Sequence, residues 1–423
     1  MYQLDWVAKA RSQKLVGLRA PVRLGVDSTV WKLGFTSLFT DISSEMVSSI
    51  LPLYFIYHLR FSPLEFGILD GIYQGAAIAL LSLAAGVFAD RRSRQKGVAV
   101  AGYAFSAVSK IGLLVLGSSW ALLASVLMLD RIGKGIRTAP RDAMISLNSR
   151  PDNLATSFAL HRGLDTGGAV LGPLVAFLIL KQLPGAFDVL LMTSFCLGIV
   201  GVGIIGLLVS RPTITAVEQP SRAPSFRVAL ALCKEARFRV VLVAGAILAA
   251  TTVSDSFVYL LLQKNTGSPA SIFPLFAFVT ATVYLVCSLP AGRLADRWGR
   301  KRVFLAGYLL LAIIYSVLLM PGFGREFQFA MLGLFGVYYA ATDGVLAAMA
   351  SAALQADVRT SGLAVLNTAV NSGKVISSVL FGMLWTSAGM KTSASIFLAG
   401  LAVALVLAFT LLADRKETHE PVR

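Results

Sequence analysis

Twelve apolar stretches of helical length run through this 423-residue chain, at roughly 31–57, 66–89, 98–116, 120–141, 155–180, 187–209, 238–262, 271–291, 303–320, 327–352, 361–386 and 393–413. Each is long enough to cross a hydrocarbon core of about 30 Å at about 1.5 Å per residue. In lipid, backbone polar groups must be satisfied within the spanning segment itself, so helices are the expected solution. The fold class is therefore all-α membrane protein with twelve transmembrane helices. Hydrophobic residues make up 56% of the chain and charged residues 14%, against about 25% charged in an ordinary soluble chain. That excludes a soluble enzyme and a disordered chain. Cys196, Cys233 and Cys287 are far apart and show no disulfide framework.

The net charge of +16 would suggest a nucleic-acid partner in a soluble protein. Here the basic residues concentrate in the terminal segments and in alternate loops, with Arg60, Lys181, Lys264, Arg325 and Lys391 in the loops on the other side. Positive charge gathers on cytoplasmic loops, so both termini are expected in the cytoplasm, and no nucleic acid is needed to explain the charge. The expected organisation is a basic N-terminal segment at 1–30, a six-helix half at 31–209, a linker at 210–237, a second six-helix half at 238–413 and a tail at 414–423. The N-terminal segment carries Lys9, Arg11, Lys14, Arg19 and Arg23 without a long apolar core, which is not a secretory signal. Its Leu4, Val7, Leu15 and Leu18 could form the apolar face of a helix lying on anionic lipid.

The halves repeat. Gly86-Val-Phe-Ala-Asp90-Arg91 follows the second span and Gly292-Arg-Leu-Ala-Asp296-Arg297 follows the eighth, at an offset of 206. The same offset carries His161, Asp165 and Gly167 onto Asn367, Asn371 and Gly373. Parallel six-helix repeats with a site between them are a transporter architecture.

These residues resemble the major facilitator superfamily over nearly the whole chain. That family's Gly-x-x-x-Asp-Arg-x-Gly-Arg-Lys pattern is complete at Gly292, Asp296, Arg297, Gly299, Arg300 and Lys301. The first copy, with Gly86, Asp90 and Arg91, departs from it at Ser93 and Gln95. The resemblance implies two pseudo-symmetric bundles working by alternating access, with these loops latching the cytoplasmic side. Arg131-Ile-Gly-Lys134-Gly135 matches the family's Arg-x-x-x-Gly pattern, which it associates with proton coupling. Gly168-Ala-Val-Leu-Gly172-Pro173 partly matches the Gly-x-x-x-Gly-Pro of its exporters. Glycines at this spacing also serve helix packing in membranes.

Ionisable residues inside spans cost about 2.5–3.5 kcal/mol each on insertion scales and default to functional candidates. Asp41 and Glu45 form an i,i+4 pair in span one. Asp41 and Arg131 each lie about 15 Å into their spans. A carboxylate that meets a cation in one conformation and loses it in another changes its proton affinity. Asp41, Glu45 and Arg131 are therefore the proton-coupling candidates, against the alternative of a permanent Asp41–Arg131 ion pair. His161, Asp165, Asn367 and Asn371, at equivalent places in the two halves, with Lys374, Asp255 and Asp343, are the substrate-binding candidates. Lys110, Asp130, Lys134, Arg137 and Arg162 also lie inside spans. Glu-x-x-His and His-x-x-x-His spacings are absent, so no metal site is expected. Trp31, Trp120, Phe55, Tyr57 and Trp385 lie near span ends and read as an interfacial belt. Pro52 and Pro173 read as bends.

No Walker loop, Cys-x-x-Cys or His-Glu-x-x-His occurs, so neither an ATP-driven pump nor an enzyme is expected, and no cofactor is implied. The expectation is a secondary active transporter in a bacterial cytoplasmic membrane, exporting a small polar or amphiphilic molecule against protons. Its partners would be the small-molecule cargo, the proton and membrane lipid. Import of a siderophore, metal chelate or metabolite and divalent-metal transport are the rival readings. A non-transporting scaffold has no use for so many buried charges.

Overall fold

The computed structural model describes residues 26–74, 95–150, 153–210, 232–320, 324–355 and 358–413. Most of the basic N-terminal segment, most of the linker, the C-terminal tail and the first latch copy (Gly86, Asp90, Arg91) lie outside the described residues.

The fold is all-helical. Helix α1 (Ser28–Ser48) starts where the Asp27 side chain accepts from Thr29 N at 2.7 Å, filling one of the free donors of a helix N-terminus. It turns at Ser49 and Ile50, then continues through Leu51–Leu53 and a π-helical turn, Tyr54–His58. Pro52, which has no N–H to give, sits in that interruption. There follow α2 (Pro63–Gln74), α3 (Gln95–Val115), α4 (Trp120–Leu147), α5 (Leu154–Gln182) and α6 (Phe187–Gly203). The second set is α7a (Ala236–Ala250), α7b (Asp255–Thr266), α8 (Pro274–Trp298), α9 (Arg300–Leu319), α10 (Gln328–Ala352), α11 (Arg359–Ala388) and α12 (Met390–Ala413). Among the described residues nine helical stretches are long and apolar enough to cross a membrane. Helix α4 is not one of them, because Asp130, Arg131, Lys134, Arg137, Arg141 and Asp142 all lie on it. Helix α5 runs unbroken through Pro173.

Each half is a six-helix bundle, and the packing repeats with the sequence. In the first half α1 packs on α5 and α6, α2 on α4, and α3 on α4 and α6. In the second, α7a packs on α11 and α12, α8 on α10, and α9 on α10 and α12. The halves meet through α2 against α11 and α5 against α8, which are again equivalent pairs.

Glycines set the closeness of α1 and α5. A Cβ at Gly168 would fall 2.6 Å from Leu38 O, and one at Gly172 would fall 2.8 Å from both Ile42 O and Glu45 Cβ. The Gly-x-x-x-Gly pair therefore lies directly against the α1 segment that carries Asp41 and Glu45. Gly172→Val is expected to push α1 away and lower stability by about 1–3 kcal/mol. Thermal unfolding of the purified protein in detergent checks this.

Span seven differs from the continuous helix expected. It breaks over Thr251–Ser254. Thr251 and Thr252 hydroxyls bond back to Leu248 O at 3.0 and 2.8 Å, competing with the helix ladder. Neighbouring helices satisfy the freed backbone: Val253 N donates to the Tyr315 hydroxyl on α9 at 2.9 Å, and Ser377 on α11 donates to Thr252 O.

The halves are sealed at the end of the bundle opposite the start of α1 and the end of α12; the sealed end is here the distal end and the other the terminal side. Phe66 on α2 meets Phe257 on α7b at 5.0 Å between ring centroids, and Phe257 in turn meets Phe381 at 4.8 Å and Trp385 at 5.6 Å on α11 in tilted contacts. Phe55 joins from α1 and is 1% exposed. Phe55 and Trp385 therefore belong to this seal and not to an interfacial belt. Phe55 packs on Phe66, and Trp385 packs on Phe257 and Phe381.

Candidate functional site

A cavity of about 500 Å³ lies between the halves. Its wall from the first half carries Glu45, Ser48 and Ser49 of α1, Asp70 and Tyr73 of α2, and Arg131 and Lys134 of α4. Its wall from the second half carries Thr252 and Ser254 of the α7 break, Asp255, Ser256 and Tyr259 of α7b, Thr280 and Tyr284 of α8, Tyr339 and Asp343 of α10, and Lys374 of α11. The break places the N-terminus of α7b at this wall. Half-helix termini at a cavity present unfilled backbone donors and a partial positive charge. Ser254 Oγ is buried and has no hydrogen-bond partner among the described residues.

The second-half wall alternates carboxylates and phenols. Tyr339 donates to Asp255 Oδ1, Tyr284 donates to Asp343 Oδ2 at 3.4 Å, and the two rings meet edge-on at 6.5 Å. On the first-half wall, the Arg131 guanidinium lies 3.7 Å over the Tyr73 ring, a cation–π arrangement. Its charge is shared with Asp130, which also takes Lys110 Nζ at 2.6 Å and the Ser106 hydroxyl at 2.6 Å. Lys110 and Asp130 are each 3% exposed. This ion cluster is buried behind the cavity, with Arg131 as the member that reaches it.

A second polar cluster sits on the terminal side of the first half. Asp41 faces Arg137 at 3.6 Å, and Asp165 faces Arg141 at 3.7 Å. Arg141 also pairs with Asp142 at 2.9 Å. Ser37 Oγ lies 3.0 Å from His161 Nε2 and 3.2 Å from the Tyr103 hydroxyl, and Arg137 lies 4.7 Å over the Tyr103 ring. Ser37, Asp41 and Glu45 follow one another at i,i+4 along α1, so one stripe of that helix leads from this cluster to the cavity.

Of the proton-coupling candidates, Glu45 and Arg131 line the cavity, whereas Asp41 lies in the second cluster with Arg137 as its ion-pair partner. Of the substrate-binding candidates, Asp255, Asp343 and Lys374 line the cavity. His161 and Asp165 do not; they belong to the second cluster. Asn367 is exposed, and neither it nor Asn371 is part of the cavity wall. No described hydrogen bond joins His161 or Asp165 to either asparagine. His161 is 2% exposed, so His161→Ala is expected to leave the half-saturation constant for cargo unchanged. A transport saturation curve checks it, and a raised constant would put the imidazole on the cargo path.

In the second latch copy, Gly299 sits between α8 and α9 at φ +98°, a backbone geometry that favours glycine. Arg300 bonds Asp296 at 3.2 Å and Ala348 O of α10 at 3.3 Å. Asp296 and Arg297 are exposed, and Gly292 has open space where a side chain would go. Among the described residues these groups bond within their own half.

Sequence reasoning missed Asp70, Tyr73, Tyr259, Tyr284 and Tyr339 on the cavity wall. The signal for Asp70 was available, as a lone acid in an apolar span; the tyrosines carry no charge to mark them.

The family model for the Major Facilitator Superfamily matches residues 33–278 and 240–423, together nearly the whole chain. The protein belongs to the major facilitator superfamily. An uncharacterized MFS-type transporter of Methanocaldococcus jannaschii is 31% identical over 396 residues, covering 92% of this chain and 95% of the relative. Among solved structures, the nucleoside transporter NupG superposes with a TM-score of 0.77 at 15% identity, covering 92% of this chain and all of its own. A peptide transporter POT in complex with sulfate gives 0.73 at 16% identity, covering 96% of this chain and 97% of its own. A bacterial homolog to the human lysosomal transporter Spinster, inward-facing and occupied, gives 0.70 at 14% identity, covering 92% of this chain and 98% of its own. At such identities the likeness is one of fold. The chain is thus a multi-pass membrane transporter of the major facilitator type, and its cavity lies between the two bundles.

Proposed function

We propose that this major facilitator protein is a proton-coupled secondary transporter that exports a small polar or amphiphilic molecule by alternating access. Both termini face the cytoplasm of a bacterial cell in this reading. The observation that carries it is the placement of Glu45 and Arg131, from α1 and α4, on the wall of a cavity that both halves build. A carboxylate there can exchange a proton as the halves move and its distance to the guanidinium changes. The α1 stripe continues from Glu45 to Asp41 and its neighbour Asp165, which gives a proton a chain of polar groups toward the terminal side.

Asp255, Asp343, Lys374 and the surrounding tyrosines are the cargo-binding groups. They offer carboxylate, ammonium, hydroxyl and aromatic surface at one place, which suits a molecule with several polar groups on an apolar body. The export direction rests on the partial Gly168-x-x-x-Gly172-Pro173 match.

The test uses membrane vesicles of both orientations with an imposed proton gradient. Cationic drugs, carboxylate chelates, sugars and divalent metals are offered in turn. Accumulation of one class inside everted vesicles, driven by an acid interior, is the expected result. Accumulation only in right-side-out vesicles would replace export by import. Accumulation that ignores the gradient would remove the proton.

A further inference from the structure

A second cavity opens at the terminal side of the second half, apart from the one between the halves. Its volume is about 1340 Å³, and the α8–α9 turn, the first turns of α9 and the last turns of α12 make most of its wall. Arg297, Arg300, Lys301 and Arg302 line it, and among the described residues Asp296 is the one acid on that wall. Arg300 donates to Asp296 at 3.2 Å and so takes up its charge. Lys301 reaches across to α12, where it donates to Leu412 O at 2.6 Å and lies 5.6 Å over the Phe409 ring. Arg297 and Arg302 are exposed, and among the described residues neither side chain has an ion-pair or hydrogen-bond partner. Helix α9 adds to the positive charge. Its cap is Gly299, which has no side chain to fill the first backbone donors, and its first turn holds no acid.

Away from this end the same wall turns apolar. On α9, Arg302, Leu305, Ala306 and Leu309 follow at i, i+3, i+4 and i+7 and all line the groove. That spacing is one stripe of a helix. It begins with a cation and runs about 10 Å into hydrocarbon-facing side chains. Leu309 is 57% exposed, and Val406 and Phe409 on the facing side of α12 are 63% and 59% exposed. Trp298, beside the arginines, is exposed as well, as tryptophans at a membrane–water boundary are.

These two surfaces together select the occupant. A soluble anion would answer the cations and leave the apolar stripes uncovered. A lipid without net charge would cover the stripes and leave Arg297 and Arg302 unanswered. Residues 414–423, which follow α12, hold three acids and three bases and so bring no net charge. A phospholipid with an anionic headgroup satisfies both parts. Basic pockets between membrane helices suit such headgroups, and guanidinium groups bind phosphate oxygens through paired N–H donors.

We propose that this groove is a binding site for one anionic phospholipid, with its phosphate on Arg297, Arg302 and the N-terminus of α9 and its acyl chains along Leu305, Leu309, Val406 and Phe409. The inference rests on the membrane-spanning fold and on neither the cargo nor the proton, so its outcome is separate from that of the transport assay.

Trp298 is the reporter, because bromine on an acyl chain quenches a tryptophan it touches. The purified protein in detergent micelles is mixed with phosphatidylglycerol or phosphatidylcholine carrying the same dibrominated chains. The part of the quenching that Trp298→Phe abolishes is the signal from the groove. Half-quenching is expected at about a tenfold lower mole fraction of phosphatidylglycerol, equivalent to about 1.4 kcal/mol. Arg297→Gln with Arg302→Gln should bring the two lipids close to parity. Arg150→Gln with Lys234→Gln removes two exposed charges outside the groove and should keep the full preference. Glycerol phosphate, which has the headgroup chemistry without the chains, should not displace the brominated lipid. Equal half-quenching by the two lipids in the parent, or a preference that survives the loss of Arg297 and Arg302, would overturn the proposal. Displacement by glycerol phosphate would give the groove to a soluble phosphate, and a preference that emerges only after deletion of 414–423 would give it to that segment; either also overturns it. Monodisperse gel filtration of each variant separates a lost preference from misfolding.

Discussion

Asp130→Ala is expected to lower the unfolding free energy by about 3–5 kcal/mol, the cost of breaking a buried ion pair by removing one partner. The reason is the company Asp130 keeps. Lys110 Nζ lies 2.6 Å from one oxygen, and Arg131 binds the other. Ser106 donates at 2.6 Å, and Lys110 is itself 3% exposed. Without the carboxylate, two buried cations face each other with no anion between them. Removing the Lys110–Asp130 pair together should be far milder. Lys110→Met combined with Asp130→Leu leaves Arg131 over the Tyr73 ring and within reach of the cavity. Chemical unfolding in detergent distinguishes the cases: a large loss in Asp130→Ala that the paired substitution mostly recovers. Equal losses in both would show that the site depends on the shape of the side chains and not on their charge.

Glu45→Gln is expected to reduce gradient-driven cargo movement by about 10- to 100-fold, as the loss of a coupling free energy of about 1–3 kcal/mol would. Exchange of cargo at zero gradient should survive, because the glutamine keeps the size of the side chain and the close fit of α1 against Gly172. The two measurements together separate coupling from binding. A variant that merely misfolds loses both. A variant whose carboxylate binds cargo loses exchange as well as accumulation. Asp41→Asn tests the next position on the same stripe. Its side chain faces Arg137 and has no place on the cavity wall, so any loss there reports on the proton path and not on cargo contact.

Much of the architecture is legible in the sequence because lipid restricts it. Apolar runs and the alternation of basic loops specify where helices lie, and the offset between Gly86 and Gly292 reveals the repeat before any contact is known. The site was only partly legible, and depth explains why. Counted from the span ends, Asp41 and Arg131 each lie about 15 Å in, which suggests them as partners. That count depends on where each span is taken to begin, and the direction a side chain faces also depends on rotation about the axis. Arg137 is six residues beyond Arg131, about 9 Å along α4 toward the terminal side and about 240° further around it, and it is Arg137 that faces Asp41. Arg131 turns instead to Asp130, Tyr73 and the cavity. His161 and Asn367 are likewise equivalent by repeat but differ in surroundings: one is buried on Ser37, the other exposed. A repeat conserves backbone position and leaves each half free to differ in what its side chains meet. The break in α7 was hidden because its capping groups, Tyr315 and Ser377, come from other helices.

The most direct measurement is of proton movement itself. Purified protein in tight liposomes holding a pH-sensitive dye receives the cargo class identified in vesicles, with no gradient imposed. The expected result is a rise in luminal pH as cargo enters, because protons leave in exchange, and no such rise in Glu45→Gln. Cargo that crosses with no change in luminal pH, or a pH change of full size in Glu45→Gln, would contradict proton-coupled transport through this cavity.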